Sequence, residues 1–110
     1  MLTKEKLPAC PVATTVALIG SKWKLLIMRN LQMRTWRFNE LKKRFGRHQP
    51  EGTYRQLRSM EKDGIVVRTV YAEVPPRVEY SLSELGKSMH PIIDAMADWG
   101  RAYQQMVNKQ

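Results

Sequence analysis

Between Lys22 and Arg58 the chain carries eleven Lys and Arg side chains against two carboxylates, Glu40 and Glu51. The remaining residues hold eight charges of each sign, so the whole formal charge of +9 lies in the middle third. Charge segregated in this way marks an anion-binding surface rather than an evenly solvated one, and it suits a polyanion such as nucleic acid. Inside this stretch Tyr54, Arg55 and Arg58 share one side of a helix by their spacing. An arginine can offer two donors to O6 and N7 of guanine, which discriminates between bases by about 1 to 3 kcal/mol. Tyr54 can give a hydroxyl to a phosphate or its ring to a thymine methyl. Lys42, Lys43 and Arg77 are candidates for phosphate or groove contacts, and Gln49 for capping a helix or reading a base.

Cys10 is the single cysteine. It cannot form an internal disulfide, which excludes a disulfide-stapled secreted scaffold and points to a reducing, cytoplasmic setting. It stands just before a predicted helix with Lys4 and Lys6 upstream, a positive setting that favours the thiolate, so it is a candidate redox sensor. His48, His90 and Cys10 are too few and too scattered for a metal site, and none is expected. No nucleophile motif, phosphate-cradling glycine loop or close carboxylate pair is visible, so the chain reads as a binding protein without a cofactor rather than an enzyme. No apolar run reaches the roughly 20 residues of a membrane span, and no membrane partner is expected.

These residues need helices to hold them. Pro11 opens a first helix in which Val12, Val16 and Ile19 recur at i, i+4 and i+7, with Gly20 as its stop. Ser21 caps a second, with Trp23, Leu26, Ile27 and Leu31 facing the core. Trp36 to Phe38 reads as a short edge strand. Asn39 caps a third helix with Leu41 and Phe45 inward, closed by Gly46, and Pro50 opens a fourth with Thr53, Leu57 and Met60 inward, ended by Gly64. Ile65 to Ala72 and Val78 to Leu82 are rich in β-branched residues and tyrosine, and Glu73-Val74-Pro75-Pro76 between them makes a stiff hairpin tip. Ser83 caps a last helix with a stripe of Leu85, Met89, Ile92, Met96, Trp99, Tyr103 and Met106, and Pro91 predicts a kink or break near Lys87 to His90.

Two helices on a tight turn in the basic region, followed by a β-hairpin, is the order of a winged helix-turn-helix, mainly α with a small β-hairpin (α+β). One domain over residues 1–110 is expected: helix-turn-helix at about 39–62, wing at about 65–82 and a C-terminal dimerisation helix at about 83–108. The apolar stripe from Leu85 to Met106 is longer than so small a domain can cover, so Ile92, Met96, Trp99 and Tyr103 are expected to face a second copy.

The runs Cys10-Pro11-Val12, Gly20-Ser21-Lys22-Trp23, Arg37-Phe38-Asn39-Glu40-Leu41, Leu57-Arg58 through Glu61, Asp63-Gly64 and Arg68 resemble those of the HxlR-type transcriptional regulators, relatives of the MarR winged-helix group. Val74 to Leu82 followed by Glu84-Leu85-Gly86 is similar to the same family. The resemblance implies a homodimeric bacterial regulator on duplex DNA at an inverted repeat, with dimerisation through the first and last helices, which adds Val12 and Val16 to the interface. It also implies response to a small electrophile or oxidant through a cysteine near position 10. His48, Gln49 and Thr53 stand where the family pattern has an apolar residue, a Ser or Thr cap and a Leu. The alternative function class is a winged helix that docks on RNA or protein, distinguished by its lack of preference for duplex DNA.

Overall fold

The computed structural model describes residues 2–46 and 52–110. The expectations for His48, Gln49, Pro50 and Glu51 therefore lie outside the described residues. After a 3-10 turn at Lys4–Lys6 come α1 (Pro11–Ile19), α2 (Lys22–Met33), β1 (Trp36–Arg37), α3 (Phe38–Phe45), α4 (Gly52–Lys62), β2 (Val66–Tyr71), β3 (Arg77–Leu82), α5 (Glu84–Lys87) and α6 (His90–Asn108). Helices with one small antiparallel sheet form the winged-helix architecture expected of the chain.

The core lies where three helices meet the sheet. Ile27, Met28 and Leu31 of α2, Leu41 and Phe45 of α3, and Leu57 and Met60 of α4 are buried, and Ile65, Val66, Tyr80 and Leu82 close the cluster from the sheet side. Each such aliphatic side chain contributes about 1.5 to 3 kcal/mol on burial. Thr53 is buried beside them, so the Thr53, Leu57, Met60 face of α4 points inward as its spacing predicts. On α2 the core takes Met28, while Trp23 and Leu26 are only half-buried; Trp23 sets its ring edge-on to Phe45, 6.2 Å between centroids. Ser21 holds the cap position of α2 without a side-chain cap hydrogen bond.

Two expectations need correction. The wing is not an isolated hairpin, because β1 joins it: Trp36 pairs with Tyr80 and Arg37 with Glu79, giving a sheet in the order β1-β3-β2. That pairing keeps Arg37 extended, so α3 starts at Phe38 and the strand ends one residue early. Arg37 is then the capping residue in place of Asn39, and its N–H donates to Oε1 of Glu40 at 2.8 Å. The last helix is two helices, broken between Lys87 and His90 where Pro91 predicts it. Of the stripe only Met89 is buried, and the residue of α6 that enters the core is Ile93.

One junction ties these parts together. Gly64, at φ 76°, turns the chain from α4 into β2, a conformation in which a Cβ costs about 1 to 2 kcal/mol. The Ser83 hydroxyl reaches the carbonyl oxygens of Gly64 (2.5 Å) and Ile65 (2.9 Å) and accepts from the Gly86 N–H at 3.1 Å, while the Ser83 N–H donates to Ile65 at 2.9 Å. Gly86 lies so close to Ile65 that a Cβ there would overlap the Ile65 carbonyl oxygen.

Candidate nucleic-acid interface

The inward face of α4 leaves Tyr54, Arg55 and Arg58 exposed on its other side. Tyr54 is not a free probe. Its ring stands edge-on to Phe38, 6.0 Å between centroids, and Phe38 in turn meets Tyr80 at 6.3 Å. The Tyr54 hydroxyl accepts a hydrogen bond from Nη1 of Arg58 at 3.4 Å. The packing of α3 on α4 thus fixes the tyrosine, and the tyrosine steers the arginine. Arg55 makes no such contact and projects freely among the described residues. Lys42 and Lys43 are exposed on α3.

Beside this face an open cleft of about 490 Å³ is lined by Tyr54, Arg58, Glu61, Lys62, Arg68 and Tyr80. Arg68 was not singled out as a contact from sequence, although it sits in β2 directly opposite Tyr80. Burial pushes the Tyr80 hydroxyl up from its ordinary range, against the opposing pull of Arg68, so it stays protonated at neutral pH. The cleft offers two guanidiniums and an ammonium against one carboxylate, a chemistry suited to a phosphate.

At the wing, Arg77 lies 3.4 Å from Glu73 and 3.5 Å from Glu79 and packs its guanidinium over the Tyr71 ring at 4.0 Å. Its charge is matched internally, a relation that depends on the hairpin register. Arg34 is held likewise: it pairs with both oxygens of Glu40, at 3.3 and 3.4 Å, and covers the Trp36 ring at 3.8 Å. The Arg37 N–H first, and Arg34 second, hold the Glu40 carboxyl below the usual carboxylate range.

Away from the basic face, α1 and α6 leave Val12, Val16, Ile92, Met96, Trp99 and Tyr103 exposed, with Val12 and Trp99 each at 70%. Trp99 and Tyr103 stack, 5.5 Å between centroids and 9° between planes. Cys10 is exposed at the cap position of α1, where its carbonyl accepts from the N–H of Thr14 at 3.0 Å. Among the described residues no group of three or more His, Cys, Asp or Glu could hold a metal ion, and no helix is long and apolar enough to cross a membrane.

Residues 18–108 match the family described as HxlR-like helix-turn-helix. The chain is 40% identical over 107 residues to the HTH-type transcriptional regulator YdeP of Bacillus subtilis (strain 168), covering 97% of this chain and 84% of that one. Among solved structures it is similar to the redox regulator HypR in its reduced form, with a TM-score of 0.83 and 38% identity over 92% of this chain and 100% of that one. Against HypR in its oxidised form the TM-score is 0.73 with 43% identity, over 84% of this chain and 96% of that one.

Proposed function

The chain belongs to the HxlR-like helix-turn-helix family of transcriptional regulators, and from that premise we propose that it acts as a homodimer on duplex DNA at an inverted-repeat operator. The observation that carries the reading is the presentation of Tyr54, Arg55 and Arg58 by a helix whose opposite face is locked into the core. A helix anchored that way fits a B-form major groove, about 12 Å wide, without deforming. In this reading Arg55 and Arg58 read base edges, and Lys42, Lys43 and Arg68 neutralise phosphates. Arg77 joins them by exchanging Glu73 or Glu79 for a phosphate oxygen. Gln49 and Pro50, which precede α4 in sequence, are proposed as further DNA contacts.

The dimer is proposed to form through α1 and α6, since Val12, Val16, Ile92, Met96, Trp99 and Tyr103 on these helices are exposed, without cover among the described residues. A twofold arrangement places two copies of α4 about 34 Å apart, or a multiple of it, and this sets the spacing of the half-sites. Cys10 borders the same surface at the start of α1. We assign it the role of redox or electrophile switch, in keeping with the likeness to a redox regulator solved in two oxidation states.

Selection of bound duplexes from a random pool, followed by titration in salt, tests the proposal. The expected result is a palindromic site, with log affinity falling against log salt by about 0.9 per phosphate neutralised. Equal affinity for an A-form RNA duplex, or no sequence preference, would favour the RNA- or protein-docking alternative.

A further inference from the structure

A second open cleft, of about 350 Å³, lies between α2 and α6 and belongs to none of the surfaces above except for the edge of Met96. Its apolar lining is made by Leu25 and Leu26 of α2 and by Ile93, Met96 and Ala97 of α6, and Lys22 and Arg29 of α2 line it as well. Seven residues apart on one helix, these two cations are separated by roughly 10 Å along its axis. Among the described residues no Asp or Glu lines the cleft. The two acids of α6 are engaged elsewhere, Asp94 with His90 at 2.8 Å and Asp98 with Arg101 at 2.6 Å. The Lys22 ammonium rests 5.0 Å from the Trp23 ring centroid, and Arg29 is exposed with no partner among the described residues.

We propose that this cleft binds a small organic carboxylate with an apolar body of about eight to twelve heavy atoms, the size that such a volume encloses. The hydrocarbon covers the apolar lining, and the carboxylate takes charge-assisted hydrogen bonds from Arg29 or Lys22. A second copy of the chain is a poorer occupant. The helix α1 carries no acidic residue, and an acid of α6 would have to leave its own partner to answer the two cations. An occupant would touch both the helix that packs behind α4 and the helix of the proposed dimer face.

Calorimetry of the intact protein with octanoate tests this, and because it reads binding alone its failure is distinct from any failure of DNA binding. Octanoate is expected to bind once per chain with a dissociation constant of about 1 mM or tighter. Octanamide, of the same shape without the charge, is expected to bind about tenfold more weakly, as is octanoate to the Lys22→Gln, Arg29→Gln double variant. Ala97→Phe should block the site; should that variant not fold, the surface double variant carries the test. No octanoate binding at about ten times that concentration, equal binding of octanamide, or binding confined to a Trp99→Glu monomer would each overturn the proposal.

Discussion

The guanidinium of Arg58 donates to the phenolic oxygen of Tyr54 across 3.4 Å, one turn back along α4. A long, mobile side chain is thereby steered before any ligand arrives, which lowers the entropy cost of a two-point contact. Arg58→Ala should relax base preference at the selected site by about 1 to 3 kcal/mol, measured as affinity for matched against mismatched duplexes. Tyr54→Phe keeps the ring on Phe38 and removes only the hydroxyl, and should cost about 0.5 to 1.5 kcal/mol at the same position. An unchanged selected site in both variants, and in Arg55→Ala, would exclude α4 as the reading helix.

The stacked pair Trp99 and Tyr103 sits on the outside of α6. Placing a charge there, in Trp99→Glu, is expected to convert a dimer to a monomer in sedimentation at micromolar concentration while the far-ultraviolet circular dichroism stays unchanged, because Trp99 lies outside the core. A monomeric wild type would remove the basis for an inverted-repeat operator.

Cys10 has three possible products: with an oxidant, an intersubunit disulfide if two copies bring their Cα atoms within about 7 Å, or otherwise a sulfenic acid, and with an electrophile such as a quinone, an adduct formed by addition of the thiolate. Diamide or a quinone should shift DNA affinity about tenfold in the wild type through the loss of one bidentate arginine contact, and leave Cys10→Ser unmoved. Equal affinities with and without oxidant in both proteins would reduce Cys10 to a structural cap.

Two glycines should respond in opposite directions to the same change. Gly86→Ala drives a methyl into the Ile65 carbonyl and should destabilise by about 1 to 3 kcal/mol in urea unfolding. Gly100→Ala, inside α6, meets nothing within 4 Å and should stabilise by about 0.5 to 1 kcal/mol.

Glu40 gives the fold a dependence on acid. Its carboxyl is held below the ordinary value of 4.5 by the Arg37 N–H and by Arg34, so in that range the folded state binds fewer protons than the unfolded state. The stabilisation is complete above 4.5 and is lost as pH falls through the lowered value. Glu40→Gln should therefore flatten the stability profile below about pH 4.5 relative to wild type, measured by thermal unfolding across pH. Parallel acid limbs would show that the ion pair does not matter to folding.

Periodicity made much of this legible. Thr53, Leu57 and Met60 declare the inward face of α4 and thereby its outward one, and Gly64, Ser83 and Pro91 mark chain reversals and breaks through their own backbone chemistry. The misses have physical causes. The short edge strand at Trp36 is legible locally, but its pairing with β3, more than forty residues on, is not, and that pairing ends the strand at Arg37 and moves the start of α3 to Phe38. Ile93 was hidden because the longest apolar stripe of α6 faces outward, and spacing ranks stripes by length rather than by what covers them. The matching of Arg77 by Glu73 and Glu79 depends on hairpin register, and the steering of Arg58 by Tyr54 depends on where Phe38 holds the ring.

Ser83 works as a rivet. Within single hydrogen bonds of it lie Gly64 and Ile65 at the exit of α4 and Gly86 of α5, whereas α6, 19 residues and roughly 28 Å long, starts only beyond the break between Lys87 and His90. A tilt of about 5° about that break would swing the far end of α6 by about 2.5 Å and leave Ser83 on the carbonyls it holds. In the proposed dimer such a swing re-spaces the two copies of α4 as whole bodies.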